Sequence, residues 1–292
     1  NAKNSMSRFM LCCLLLASTT GCEFINPTEQ IPGYVSIDSI QFEHGPGRTY
    51  QDEGSVKYSF TDSWIYVDNQ YIGTFENPRT IPILFEGTHT ISVRGGIIEN
   101  GVAGTRSDYM KTANYDTIVD IQPNATLQIK PRVHYFSGTT FKQMEDFDDG
   151  GISLIPTNQD YAPLQLSMQS DTGEFEGAYG WALLDANTQV FEVASDNPFT
   201  LPYTTTPYIE LNYKTDVEIT VGLFITTTSL TLLQTPLVNL RPTATWKKVF
   251  MNLRDLGVIN QSALDYKIFL RSVLPSGSTN AKVSIDNLKV LY

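Results

Sequence analysis

The segments YIELNYK (208–214) and EITVGLFIT (218–226) carry apolar side chains at alternate positions. A period of two is typical of β-strands, because successive side chains point to opposite faces of a sheet. The same alternation continues from Tyr34 onward, and Gly, Asn, Asp and Pro interrupt it about every eight to twelve residues. The sequence therefore predicts an all-β protein, in which only 254–264 has the composition of a helical turn. Further strands are predicted at 34–42, 64–68, 89–93, 126–130, 247–253, 266–272 and 282–292.

Length and composition favour a folded chain with room for two ordinary domains. The chain has 292 residues, of which 41% are hydrophobic and 17% are charged, and this composition excludes a disordered polymer. The charged and Gly-rich segment KQMEDFDDGG (142–151) is the best internal break. We therefore predict two β-sandwich domains, at 34–136 and 137–292, each near the usual domain size.

The net charge argues against nucleic acid as a partner. The chain holds 31 Asp and Glu against 20 Lys and Arg, which gives a formal net charge of −11. Charge of this sign repels phosphate backbones. We therefore expect no nucleic acid partner.

The N-terminus has the pattern of a secretion signal. The apolar run FMLCCLLLA (9–17) follows Lys3 and Arg8 and precedes STTGC (18–22). It is too short to span a bilayer, and its basic flank and small residues are typical of a signal peptide. No later stretch approaches the roughly 18 apolar residues that a spanning helix needs.

The segment ending in Cys22 resembles the lipobox of bacterial lipoproteins. Thr19 stands where that box usually carries Leu. The resemblance implies a signal peptide at 1–21, a diacylated Cys22 as the first mature residue and a tether at 22–33. It also implies a lipid anchor that holds the protein on the outer membrane or cell surface. Cys12 and Cys13 would then be removed, so the mature chain would hold no thiol for a disulfide, a zinc site or a nucleophile.

The run WIYVDNQYIGTFENPRTIPILFEGTHTISV (64–93) predicts a compact unit of strands and turns. Asp68 and Asn69 tolerate positive φ and predict a two-residue hairpin turn, while Pro82 indicates an edge strand. This run resembles a PEGA-type repeat, the small β-unit of bacterial surface proteins, although Asn69 and Phe85 depart from its pattern. The resemblance implies an Ig/PEGA-like N-terminal sandwich that serves surface interaction rather than chemistry.

Four segments of the second predicted domain come in a recognisable order. They are FDDG (147–150), FEGAYGWALL (175–184), TWKKVFMNL (245–253) and VSIDNLKVLY (283–292). This order resembles that of galactose-binding-like jelly rolls of the carbohydrate-binding-module type, which commonly open with F-E-x-G and close with I-D followed by Asp or Asn. The resemblance implies a C-terminal jelly roll; many members bind carbohydrate, and others are structural modules of surface assemblies.

Aromatic residues are the candidate ligand-binding groups of this domain. Sugar rings present C–H faces that stack on aromatic rings, and their hydroxyls need polar partners nearby. We predict that Tyr179, Trp181, Tyr203 and Tyr208 contact a glycan, whereas Trp246 is expected in the core. The alternative is a structural subunit of an outer-membrane complex, which would expose a contiguous apolar patch to its protein partner.

Catalytic motifs are absent from the sequence. There is no G-x-S-x-G, H-E-x-x-H, phosphate-binding glycine loop or EF-hand loop, and His44, His89 and His134 are expected to be structural or exposed. Glu174 and Glu176 would share one strand face and could mimic the acid and base of an inverting glycosidase, although a solvated face is favoured. We therefore predict a non-enzyme, with a lipid-tethered glycoside hydrolase as the less favoured alternative.

A structural calcium ion is implied by the jelly-roll resemblance. Asp148 of FDDG and Asp286 of IDN match two segments that, in many such jelly rolls, lie side by side and hold the ion. Calcium accepts oxygen ligands in loose geometry, and Glu145 or Asp149 would add another oxygen. The alternative places Asp148 in a solvated turn and bonds Asp286 to backbone amides near its own strand.

Two short motifs predict modification. Asp38-Ser39-Ile40 and Asp116-Thr117-Ile118 match an Asp-Ser/Thr-aliphatic acceptor that resembles the one used in bacterial periplasmic O-glycosylation. They predict glycosylation at Ser39 and Thr117, although patterns this loose also arise by chance in a Thr-rich β protein.

The lipid anchor is tested by the intact mass of the mature protein. We expect a species that begins at Cys22 and carries acyl mass, and we expect Cys22→Ala to release the protein from membranes. A species that begins at Ala17 or Glu23 without acyl mass, or a Cys22→Ala protein still held on membranes, would contradict the anchor.

Overall fold

The computed structural model describes residues 29–57, 60–167 and 177–292. Strands make up 55% of the structure and helix 2%, which confirms the predicted all-β fold. Cys22, Glu174 and Glu176 lie outside the described residues. Within the described part of the chain, no helix is long and apolar enough to cross a membrane.

The N-terminal strands form two main sheets around one core. One sheet has the order β5-β1-β9, and the other has the order β4-β3-β6-β7 with β8 also paired to β6. Alternate residues of β1 and β3, such as Val35 and Ile65, are fully buried between them. The elements are β1 (Gly33–Ile37), β2 (Gln41–Phe42), α1 (Tyr50–Glu53), β3 (Asp62–Val67), β4 (Gln70–Glu76), β5 (Arg79–Ile83), β6 (Gly87–Ile98), β7 (Arg106–Asp108), β8 (Tyr115–Ile121), β9 (Thr126–Ile129) and β10 (Arg132–Val133).

Turn chemistry explains the hairpin between β3 and β4. Asp68 and Asn69 have φ values of 48° and 66°, so the predicted two-residue turn is confirmed. Pro82 lies on β5, at the edge of its sheet, where its missing N–H disrupts no ladder, as predicted.

The segment 254–264, where the sequence predicts a helical turn, begins with one, in which the Leu256 N–H donates a hydrogen bond of 3.1 Å to the Asn252 carbonyl, but it forms no regular helix. The chain there makes tight turns that end at Gly257, whose φ is +71°. Among the described residues, the regular helix is α1, where the Asp52 carboxylate accepts a hydrogen bond of 2.8 Å from the backbone N–H of Thr49. This is half of a capping box, and it satisfies a donor at the start of the helix.

The C-terminal strands form two stacked sheets. The sheet β13-β14-β21-β16-β19, with β11 also on β21, faces the N-terminal strands and is called the domain-facing sheet; β12-β15-β20-β17-β18 is called the distal sheet. Leu211, Leu223 and Ile285 belong to the core between them. The strands are β11 (Phe141–Glu145), β12 (Leu154–Pro156), β13 (Gln165–Leu166), β14 (Gly180–Asp185), β15 (Val190–Ser195), β16 (Tyr208–Thr215), β17 (Ile219–Thr227), β18 (Leu232–Leu240), β19 (Thr243–Asn252), β20 (Ala263–Val273) and β21 (Asn280–Leu291).

A buried carboxylate joins the two groups of strands. Glu210 on β16 is fully buried and accepts hydrogen bonds from the hydroxyls of Tyr109 and Tyr135, which belong to the N-terminal part. The Nζ of Lys248 on β19 lies 2.8 Å from the other Glu210 oxygen. Burial alone would raise the pKa of Glu210, but the charges of Lys248 and Lys289, together with hydrogen bonds from Lys248 and Tyr109, lower it.

Further polar contacts surround this carboxylate. The buried Lys289 donates a hydrogen bond of 2.8 Å to the carbonyl of Ser55, and burial lowers the pKa of Lys289 to about 7. The Tyr208 hydroxyl donates a bond of 2.5 Å to Glu99. These contacts all join N-terminal residues to the domain-facing sheet, so the docked arrangement satisfies polar groups that docking buries.

Glu210→Gln should destabilise the protein strongly. The substitution leaves Lys248 and Lys289 buried without their carboxylate, and breaking a buried ion pair on one side costs about 3–5 kcal/mol. The free energy of unfolding in urea measures this loss. The matched control is Glu218→Gln on the exposed surface, expected to change stability by less than about 0.5 kcal/mol. Equal stabilities for the two variants would contradict the role given to Glu210.

Candidate functional site

A row of polar side chains crosses the outer face of the distal sheet. Strand register pairs Glu192 with Arg271, Arg271 with Thr220, and Thr220 with Asn239. Thr157 follows β12 and completes the row through a bond of 2.5 Å from its hydroxyl to Glu192. Alternation along each strand places these side chains opposite the core.

Glu192 is the fixed centre of this row. Its Oε1 accepts from Thr157, and its Oε2 accepts from Arg271 at 2.8 Å and from Gln234 at 3.0 Å. Burial alone would raise the pKa of Glu192, but these three hydrogen bonds and the Arg271 charge lower it below its usual value. Glu192 is therefore an anion that orients Arg271, and its low pKa does not suit a general acid.

The contact between Gln234 and Glu192 shows that the face is concave. Gln234 lies on β18 and Glu192 on β15, with β20 and β17 between them. Three strand spacings in a flat sheet amount to about 14 Å, and the two residues also lie in different rows. Their hydrogen bond therefore requires the sheet to curve inward.

Aromatic rings flank the polar row. The guanidinium carbon of Arg271 lies 5.8 Å from the centre of the Tyr161 ring. The half-buried Phe224 ring lies 5.0 Å from the buried Phe269 ring, with an interplanar angle of 43°. Tyr161 thus lies beside the guanidinium, whereas Phe224 pairs with Lys267, four residues or about 13 Å along β20 from Arg271.

A depression of about 600 Å³ continues the face beyond Phe224. Ile155, Thr157, Asp265 and Lys267 contribute to its lining, and the Lys267 Nζ donates a bond of 2.7 Å to the carbonyl of Asp196. This volume lies within the range of small-molecule sites.

Two of the predicted aromatic residues lie on the other sheet. Tyr179 is almost fully buried, with its ring 5.4 Å from the centre of the Trp246 ring. Trp181 on β14 is half-buried, and the Lys282 Nζ lies 5.3 Å from its ring centre. Lys247 pairs with the core residue Tyr213, so the two residues share the core-facing side of the sheet. Neighbouring residues of a strand point to opposite faces, so Trp246 lies on the outer face of β19 rather than in the predicted core.

The other two predicted aromatic residues are separated from this pair. Tyr208 is fully buried against Tyr109, with ring centres 5.2 Å apart, so its ring offers no surface to a ligand. Tyr203 is exposed and precedes the start of β16. Trp181 pairs with Ser284 on β21, and Ser284 pairs in turn with Lys214, near the other end of β16. Six residues of strand span about 20 Å, so these aromatic residues do not form one platform.

The three histidines bond within their own surroundings. His44 Nδ1 lies 3.3 Å from Glu53, and His134 Nδ1 lies 2.9 Å from the carbonyl of Tyr135. His89 Nδ1 lies 2.6 Å from Asp68, and this hydrogen bond, with a second to the Glu86 carbonyl, raises the pKa of His89. These contacts fit the structural role predicted for them.

The residues predicted to be modified lie on the N-terminal part. Ser39 is exposed after β1, whereas Thr117 is half-buried on β8 and pairs with Ile91. Glycosylation of both residues stays a prediction.

The proposed calcium ligands come from neighbouring strands. β11 pairs with β21, which confirms that the first and last strands of the jelly roll lie side by side. Asp148 accepts bonds of 2.6 Å from the Ala178 N–H and 3.0 Å from the Tyr50 hydroxyl. Asp286 is buried, and one oxygen accepts a bond of 2.7 Å from the Asn287 N–H.

The second oxygen of Asp286 has no hydrogen-bond partner among the described residues. Burial, together with the charges of Asp148 and Asp146, raises the pKa of Asp286 to about 9. Across the described ranges, no group of three or more His, Cys, Asp or Glu is arranged to hold a metal ion. Calcium at Asp148 and Asp286 therefore stays a prediction.

Comparison with known proteins gives structural neighbours but no relatives in sequence. No protein-family model matches the chain, and no curated protein matches it. The family 22 carbohydrate-binding module of Clostridium thermocellum Xyn10B has 11% identity and a TM-score of 0.36, and the match covers 51% of this chain and 92% of that one.

Two further solved structures match to a similar degree. The CBM22-1 xylan-binding domain of Paenibacillus barcinonensis Xyn10C has 8% identity and a TM-score of 0.37 over 52% of this chain and 93% of that one. A family 11 carbohydrate-binding module of Clostridium thermocellum has 11% identity and a TM-score of 0.36 over 52% and 95%. All three TM-scores are low, so the function of this chain has to be inferred from its own side chains.

Asp286→Asn tests both the raised pKa and the calcium ion. Because the folded state holds a proton on Asp286 that the unfolded state releases above 3.8, its contribution to stability falls as pH rises towards 9. With a chelator present, the free energy of unfolding of Asp286→Asn, relative to that of the wild type, should rise by up to about 1.4 kcal/mol per pH unit in that range. Chemical unfolding at several pH values measures this difference.

Added Ca²⁺ should stabilise the wild type and not Asp286→Asn, since a ligand that binds only the folded state raises its stability. Parallel pH curves for the two proteins would contradict the raised pKa. A wild type indifferent to Ca²⁺ would contradict the calcium site.

Proposed function

We propose that this chain is a non-enzymatic, membrane-anchored surface lipoprotein that binds a polysaccharide on the concave face of its distal sheet. The observation that carries this proposal is Arg271, held by Glu192 beside the Tyr161 ring, with the half-buried Phe224 ring further along the same face. This is a preorganised donor on a curved surface that also carries two aromatic rings.

The groups on this face match the chemistry of a sugar chain. Pyranose rings can lay their C–H faces on Phe224 and Tyr161, while their hydroxyl oxygens accept from the guanidinium of Arg271. Arg271 has five N–H donors, and its bond to Glu192 fixes the orientation of the remaining ones. A concave face that crosses five strands suits an extended chain.

The charges of the face favour a neutral polysaccharide. Glu192 is paired with Arg271, and Asp265 and Lys267 line the same depression. Two acidic and two basic groups leave no net charge to attract an ionic ligand. The saturated carboxylate of Glu192 also supports binding rather than hydrolysis at this face.

The location of the protein follows from the signal-like N-terminus. Diacylation at Cys22 would hold the protein on the outer membrane or cell surface, and the short tether would keep the domains close to it. Glycan binding from such a position would serve adhesion or the capture of polysaccharide.

A second candidate function is supported by exposed leucines at one corner of the distal sheet. Leu230 and Leu232 are 80% and 63% exposed, and Leu233 and Leu264 are also exposed. The end of β17 pairs with the start of β18 at Leu232 and with the start of β20 at Ala263, so the exposed leucines lie at the same corner of the sheet. This corner supports the alternative of a structural subunit that binds an outer-membrane protein.

The proposed function is tested by affinity electrophoresis through gels that contain xylan, mixed-linkage β-glucan or mannan. At least one should retard the full chain. Arg271→Gln removes charge-assisted hydrogen bonds and Phe224→Ala removes apolar contact, so each should weaken binding by about tenfold or more. Arg271→Lys should bind weakly because it keeps the charge but lacks the fork of donors.

The control is Trp181→Ala, which alters an aromatic residue on the other sheet and should leave retardation unchanged. Loss of binding in Trp181→Ala but not in Arg271→Gln would place the ligand elsewhere. No retardation, together with a copurified membrane protein that Leu232→Ser no longer binds, would support the subunit function instead.

A further inference from the structure

A second groove, of about 610 Å³, lies between the two domains. One wall is residues 100–103 of the loop from β6 to β7, and the other comes from β18 and β19, the edge strands of the two C-terminal sheets. We call this the interdomain groove. Its principal lining residues are Asn100, Tyr213, Leu237, Asn239, Arg241 and Lys247.

The N-terminal wall is fixed to the jelly roll. The Asn100 N–H donates a bond of 2.7 Å to the carbonyl of Phe250, and the Asn252 N–H donates one of 2.9 Å to the Asn100 side chain. The Asn252 amide also bonds to the Tyr208 hydroxyl at 3.1 Å. The groove is therefore preformed, and both domains are needed to build it.

The charge of the interdomain groove is opposite to that of the protein. Arg241 and Lys247 line it, and neither makes a hydrogen bond or ion pair with any described residue. No Asp or Glu is among its lining residues, in a chain of net charge −11. By contrast, Arg94, Arg106 and Arg271 each pair with a carboxylate. Two unpaired cations on one preformed wall favour an anionic ligand.

The remaining lining groups suit a saccharide. Leu237 and Leu256 provide an apolar floor for a C–H face, and the Tyr213 hydroxyl bonds to no described residue. Phenol and carboxamide groups both donate and accept, as ring hydroxyls require.

An acidic peptide fits less well than a sugar. A peptide would bind most simply as an added strand along β18, but Pro236 lacks an N–H and the pairing of β17 with β18 shifts register beside it. Proline and a bulge both interrupt the ladder that strand addition needs.

We propose that the interdomain groove binds an oligosaccharide that carries carboxylate groups, such as a uronic acid. The carboxylate lies between Arg241 and Lys247, the ring lies on Leu237 and Leu256, and its hydroxyls face Tyr213 and the asparagine side chains. This site is separate from the concave face, which carries balanced charges, and does not depend on it.

Isothermal titration calorimetry of the full chain with trigalacturonic acid tests this proposal. Binding should weaken as salt is added, because exposed charges are screened. Arg241→Gln and Lys247→Gln should each weaken it by about 10- to 100-fold, as expected for lost bonds to a charged group. Fully methyl-esterified trigalacturonate, which lacks the charge, should bind at least tenfold more weakly.

The matched control is Lys130→Gln, which removes an exposed lysine outside the groove and should leave binding unchanged. Arg271→Gln should also leave trigalacturonate binding unchanged. The proposal for the concave face and the proposal for this groove can therefore fail independently of each other. The proposal is overturned if trigalacturonate does not bind, if the ester binds equally, or if a tetraglutamate peptide binds more tightly through Lys247.

Discussion

The structure depends on one buried carboxylate. Glu210 projects from the jelly roll and accepts bonds from Tyr109 and Tyr135 of the N-terminal strands, while the Lys248 Nζ lies 2.8 Å from its other oxygen. A buried charge is costly unless its partners are complete, and these partners are complete only when the domains are docked. The same contact fixes the relative position of the two domains.

This docking decides which surfaces are open. The domain-facing sheet uses part of its outer face to hold the N-terminal domain, through Glu210, Tyr208 and Lys289. The distal sheet carries no such contact among those described, and its curved outer face holds the half-buried Arg271 and Phe224 beside the buried Phe269. The interdomain groove is a second product of the docking, because the Asn100 loop forms its wall.

The sequence predicts local features of this protein, whereas the side chains of the proposed site come together only through long-range strand pairing. Strand alternation and the Asp68-Asn69 turn are local, because they depend on neighbouring residues and on turn chemistry. Arg271 and Glu192 are 79 residues apart, and only the pairing of β15 with β20 brings them together. Residue type alone favours Tyr208 as a ligand-binding group, but contact with the N-terminal strands buries this side chain. The local signal for this site is the alternation along β20, which places Lys267, Phe269 and Arg271 on the same outer face.

We infer that the concave face of the distal sheet is the ligand-binding surface. A crystal structure of the protein with a bound neutral oligosaccharide tests this inference. A sugar ring should lie against Phe224 or Tyr161, with a sugar hydroxyl within hydrogen-bond distance of the Arg271 guanidinium. An oligosaccharide bound at Trp181 on the domain-facing sheet, or at Tyr203, with the face around Arg271 unoccupied would contradict it.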